Sequence, residues 1–113
     1  MERCRVFKRH SAEGYKTPLP GIRMKTLCHG ERTLMTEFLL DRASALPMHA
    51  HPYEQTGYLV KGRMLLTIAG QEHEVSPGDS WCIPSGAEHR ADILEDSVAI
   101  EVFSPVREDY LPG

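Results

Sequence analysis

The chain has 113 residues, 41% of them hydrophobic, which suits one domain that buries roughly two-thirds of its unfolded surface. A net charge of −3 and a pI of about 6.0 leave no electrostatic footprint for nucleic acid or an acidic membrane surface. No apolar run reaches membrane-spanning length and no apolar leader follows the first residues, so the expected compartment is the cytosol.

Arg3, Arg5, Lys8 and Arg9 make the N-terminus locally basic without interleaved aromatics, the pattern of a solvated strand or tail. Residues 1–20 are the least determined part, either an edge strand or a cover for the core. Beyond them, nine glycines and eight prolines punctuate the chain, and almost no stretch sustains a helical apolar period. The first strand is predicted at 21–28, where Ile22, Met24, Thr26 and Cys28 alternate, and the second at 33–40. Asp41-Arg42-Ala43-Ser44 turns the chain into a strand at 46–51 that Pro52 ends. Strands at 55–60 and 63–68 flank Lys61-Gly62, which reads as a two-residue hairpin. Short strands at 72–75 and 80–83 follow turns at Ala69-Gly70-Gln71 and Ser76-Pro77-Gly78-Asp79. Pro84-Ser85-Gly86 then leads to the last two strands, 90–94 and 98–103. Nine short strands in a single 113-residue domain predict an all-β sandwich or barrel.

Cys4, Cys28 and Cys82 are odd in number and form no C-x-x-C pair. They read as buried or half-buried free thiols, and Cys82, with no adjacent base, as packing.

The histidines are the informative residues. In His49-Ala50-His51 an extended backbone sends both imidazoles to one face, aimed at one point. Gln55 follows closely, and His89 comes later, behind Gly78-Asp79-Ser80 and Pro84-Ser85-Gly86. Imidazole is the commonest metal ligand at neutral pH. His10, His29 and His73 have no such company and read as surface residues.

The stretches H-A-H-P-Y-E-Q-T-G-Y-L-V-K-G (49–62) and G-D-S-W-C-I-P-S-G-A-E-H (78–89) resemble the two signature motifs of the cupin superfamily. That resemblance implies a jelly-roll β-barrel whose motifs supply two histidines, a carboxylate and a third histidine. Gln55 stands where the carboxylate is usual, and Ile93 where Asn is often found. Within the superfamily, H-x-H-P-x-E-Q, Y-L-V-x-G, G-D-S and E-V-F-S-P-V-R-E-D-Y-L (101–111) look like the KdgF-type cupins of pectin and alginate breakdown. The likeness covers about residues 46–111. It implies a His49, His51, Gln55 and His89 metal site, with Glu101, Phe103 and Arg107 as catalytic residues; Glu101 replaces a more usual Asp.

Three imidazoles and an amide oxygen suit one divalent transition metal ion, Ni, Zn, Fe, Mn or Cu, without choosing among them. Gln55 is either a ligand or a cap for a neighbouring backbone group. Glu101 and Phe103 share one strand face, opposite Val98, Ile100 and Val102. Glu101 is then a pocket acid/base or a solvated carboxylate, and Arg107 binds a substrate carboxylate or pairs with Glu108 or Asp109. Phe103, Tyr58, Met48 and Trp81 either line the cavity mouth or fill the core. The resemblance implies linearisation of a 4,5-unsaturated uronate monosaccharide to its open-chain keto form. The alternatives are a metal-dependent dioxygenase of quercetinase or thiol-dioxygenase type, and a non-catalytic binding module. The expected partners are a small carboxylated molecule and a second copy of the chain, since a small jelly roll leaves sheet edges exposed.

Overall fold

The computed structural model describes residues 6–111. The strands are β1 (Lys16–Leu19), β2 (Ile22–His29), β3 (Leu34–Leu40), β4 (Ala45–His49), β5 (Glu54–Ile68), β6 (Gln71–Val75), β7 (Ser80–Ile83) and β8 (His89–Ser104), followed by a 3-10 turn at Glu108–Tyr110. All pairings are antiparallel, in the order β1-β2-β3-β8-β5-β6, with β4 also on β8 and β7 also on β5. The architecture is the expected all-β jelly roll.

The predicted hairpin at Lys61-Gly62 does not form; the chain runs straight on through a 15-residue strand. The reason is visible in the inward-facing residues. Gln55, Gly57 and Leu59 are buried in the first half of β5, but Met64 and Leu66 in the second, so the inward side changes from odd to even positions. A period-two strand can change parity only through a bulge, and the β5–β8 register does shift between Leu59 and Met64. Gly62 sits at that shift with φ +98°. A Cβ there would lie 2.0 Å from Ser97 Oγ and 2.6 Å from Asp96 O, so glycine is required both for its torsion and for the close approach. Ser97 Oγ stitches the corner, accepting from Arg63 N at 3.1 Å and donating to Glu95 O at 2.7 Å.

The bent β5–β8 ribbon is what closes the jelly roll. One half of β8 pairs with β3 and the other with β4, while β5 pairs with β7 and then β6. The strands predicted at 90–94 and 98–103 are therefore one strand, β8, as those at 55–60 and 63–68 are β5. With β1 added, the described residues form eight strands rather than nine. Ile22, Phe38 and Leu40 from one side meet Met64, Leu66, Ala91 and Ile93 from the other in a single core.

Within the N-terminal segment, Lys16–Leu19 pairs as an edge strand, with Pro18 tolerated there, and Lys8 and Arg9 are exposed. Arg3, Cys4 and Arg5 lie outside the described residues. Cys28 and Cys82 are free but exposed, not buried. Cys82 points outward because Trp81 and Ile83 take the inward side of β7. His10 and His73 are on the surface as expected. His29 is half-buried, with Nδ1 shut away from solvent and unpartnered.

Candidate metal centre

His49 and His89 face each other as a cross-strand pair of β4 and β8, their ring centroids 4.1 Å apart. The predicted histidine strand is shorter than expected: β4 ends at His49, and His51 lies just past it. Pro52 has no N–H to continue a ladder. The turn before His89 takes over instead, with Gly86 N donating to His51 O at 2.9 Å and Ser85 Oγ to Pro52 O at 2.6 Å. The His51 ring ends 4.9 Å from that of His89 and 5.6 Å from that of His49.

Each imidazole has Nδ1 against a backbone carbonyl: His49 on Pro47 O at 2.8 Å, His51 on Tyr53 O at 3.0 Å and His89 on Ala87 O at 2.9 Å. A carbonyl only accepts, so Nδ1 carries the proton in all three and Nε2 presents a lone pair. One ring nitrogen from each histidine falls within 4.8 Å of the others. His89 Nε2 is buried without a partner. His51 Nε2 lies 2.9 Å from Gln55 Oε1, an arrangement of two acceptors when Nδ1 holds the proton. Converging lone pairs with no donor between them are what a cation relieves, so these residues fit a divalent metal ion. Burial lowers the basicity of His51 and His89, with smaller contributions from neighbouring imidazoles and Arg107. Both are thereby kept in the neutral, ligating form.

Glu101 is on the inward side of β8 and only 7% exposed. Burial raises its pKa above the ordinary 4.5, while the Gln55 amide, the Trp81 indole and Arg107 act to lower it. Trp81 Nε1 donates to Glu101 Oε1 at 2.9 Å. Gln55 is thus placed between His51 and Glu101, with its oxygen toward the ring and its amide against the carboxylate. A carboxylate at position 55 would set two anions side by side; the neutral amide avoids that.

Arg107 follows β8, and its side chain is 14% exposed. Its guanidinium stacks over Tyr110 at 3.9 Å, Phe103 at 4.9 Å and Tyr53 at 5.0 Å. It also forms a two-point pair with Asp109, Nη2 to Oδ2 at 2.7 Å and Nε to Oδ1 at 3.2 Å. The ion pair foreseen as one alternative for Arg107 is therefore present, yet the residue still borders the cavity. That cavity takes in His49, Gln55, His89, Glu101, Phe103 and Arg107. The ring of His51 does not line it but packs edge-on against Phe103, which does, at 5.8 Å.

Of the aromatic and Met candidates for the mouth, Phe103 and Trp81 line the cavity. Tyr58 and Met48 do not; they are 49% and 46% exposed on other surfaces. Sequence reasoning missed the Trp81–Glu101 bond and the aromatic cradle that Tyr53 and Tyr110 build around Arg107. It also passed over Gly57, although a lone glycine inside a strand signals a close approach.

A family model described as a cupin domain matches residues 37–104. The solved structure of KdgF from Halomonas sp. is 33% identical, covers 88% of this chain and 92% of that one, and superposes with a TM-score of 0.83. An RmlC-like cupin from Shewanella frigidimarina NCIMB 400 shares the fold at 23% identity, covering 98% and 100% with a TM-score of 0.91. The polyketide cyclase RemF from Streptomyces resistomycificus is 25% identical, covering 90% and 81% with a TM-score of 0.72. None of the curated proteins compared matches the chain. With the jelly roll and the three-histidine centre, these likenesses define a small metal-binding cupin. The chain belongs to the cupin family, and it is similar to KdgF.

Proposed function

We propose that this cupin is a metal-dependent enzyme that opens the ring of a 4,5-unsaturated uronate monosaccharide, giving the linear keto form. What carries the reading is the meeting of a buried carboxyl, Glu101, and an arginine, Arg107, with His49 and His89 of the three-histidine centre in one cavity. Likeness to KdgF from Halomonas supports it.

His49, His51, Gln55 and His89 would hold the ion, which supplies Lewis acidity toward a substrate oxygen. Because all four groups are neutral, they would leave the ion its full positive charge. Arg107 gives one edge of its guanidinium to Asp109. Its remaining N–H groups can hold the uronate carboxylate. Glu101 takes the proton of the anomeric hydroxyl as the bond from the ring oxygen to C1 breaks, leaving an aldehyde and an enolate at C5. The proton is returned to C4, which completes the ketone; no atom is gained or lost. A raised pKa suits a carboxyl that must both accept and return a proton near neutrality. Phe103, 1% exposed, walls the cavity beneath Arg107 and excludes water from the reacting atoms.

A non-catalytic module would leave Glu101 and Arg107 free to face solvent, and a dioxygenase has no evident use for the pair; both readings rank lower for that reason. In the proposed reading the partners are the sugar acid and a second copy of the chain, acting in the cytosol. Among the described residues no helix is long and apolar enough to cross a membrane. The test follows the ultraviolet absorbance of the unsaturated sugar. Metal-loaded protein should bleach it, and Glu101→Gln should not. Loaded wild-type protein that leaves the absorbance intact overturns the reading.

A further inference from the structure

Trp81, Gly57 and Glu101 stand in one row across three strands: Gly57 is the Cα partner of Trp81 on β7 and of Glu101 on β8. Residues two strands apart are separated by about 10 Å at their Cα atoms, which side chains bridge only over a gap in the row. Gly57 is that gap. A Cβ built on it would lie 2.2 Å from Trp81 Cε2 and 2.3 Å from Trp81 Nε1, so the indole lies flat across the glycine. Its N–H thereby reaches Glu101 Oε1 at 2.9 Å. An indole N–H can only donate, so it requires an acceptor from that oxygen whatever the rest of the carboxyl is doing.

We propose that Trp81 is a positioning residue that fixes one oxygen of Glu101, and that Gly57 is present to let the indole cross to it. The proposal rests on the reading of Glu101 as the acid/base of this cavity. The carboxyl is held at Oε1 by a rigid plane seated on bare backbone, and with the Gln55 amide also against it the group is set in one orientation beside the cavity. The side-chain length matters too. A carboxylate one methylene shorter would pull its oxygens back from the indole.

Trp81 is the sole tryptophan of the chain, so the protein has one indole N–H resonance. In zinc-loaded protein that resonance should lie downfield, as for a bond to a carboxylate. It should move toward the free-indole position in Glu101→Gln, Glu101→Asp and Gly57→Ala. Trp81→Phe should bind zinc at wild-type stoichiometry yet turn over the unsaturated uronate monosaccharide with kcat lower by about 10- to 100-fold and KM within about twofold. An indole resonance indifferent to Glu101→Gln overturns the proposal, as does a zinc-loaded Trp81→Phe with undiminished kcat. Should wild-type protein leave the sugar untouched while the resonance still follows Glu101, the positioning is supported and the uronate assignment alone falls.

Discussion

His51 and His89 are both held below the usual 6.5 chiefly by burial. In the metal-free protein they stay neutral at a pH where an exposed histidine is half protonated. Below about pH 6.5 the unfolded chain binds protons that the folded chain refuses. Their contribution to stability is thus complete above that pH and is lost as pH falls toward the lowered folded values. Urea midpoints of metal-free protein taken from about pH 7.5 down to about pH 5 should fall through this window, and His89→Asn should flatten the decline. A midpoint constant over the range would contradict the burial. Glu101 has the opposite sign. Its folded form keeps a proton above 4.5, so between 4.5 and its raised folded value stability drops as pH rises. At neutral pH the buried carboxyl is a burden in the absence of metal. Glu101→Gln should therefore raise the calorimetric midpoint of metal-free protein near pH 7 while lowering kcat by about 10²- to 10⁴-fold. A lowered midpoint with unchanged kcat would show that Glu101 serves stability and not chemistry.

At the scale of elements, the corner of the β5–β8 ribbon decides how the jelly roll closes. Gly62→Ala places a Cβ against Ser97 and the Asp96 carbonyl at a positive φ. It should cost about 2 kcal/mol or more in denaturant unfolding; an unchanged midpoint would mean the corner can relax. Lys61-Gly62 also shows where local reading stops. A glycine with positive φ serves a hairpin and a bulge alike, and the difference lies in residues 95–97, far along the chain, which crowd it. The change of inward parity between Leu59 and Met64 appears only in the burial, because Tyr58-Leu59-Val60 and Met64-Leu65-Leu66 are apolar at odd and even positions alike. The histidine constellation was more legible, because its spacing and its flanking Pro and Gly residues act locally. Yet β4 stops at His49, and His51 is held by the turn at Ser85-Gly86, a tertiary contact no strand pattern records. Simple alternation put Glu101 on one face with Phe103 but left open whether that face met the cavity or water. The bond from Trp81 to Glu101 was not legible either, because it depends on β5 lying between two strands that are distant in sequence.

The molecule as a whole presents a half-apolar outer surface, with Met35, Tyr58 and Val60 exposed and Val98, Ile100 and Val102 only half-buried. Sedimentation velocity should give the mass of a homodimer, and Tyr58→Lys should shift it to monomer; wild-type protein sedimenting as a monomer at all concentrations would contradict this. An ion held as proposed would bear on the whole fold as well, because His49, His51, Gln55 and His89 come from β4, the segment after it, β5 and β8. A ligand bound only by the folded state stabilises it by about 2.7 kcal/mol at about a hundredfold excess over Kd. The most direct measurement is metal content after loading with a divalent transition ion and gel filtration. It should be made on the wild type and on a His49→Ala, His51→Ala, His89→Ala variant whose β-sheet circular dichroism is intact. One ion per chain in the wild type and none in the variant is the expected result. A wild-type chain that keeps no ion, or a variant that keeps it, would contradict the centre built from His49, His51, Gln55 and His89.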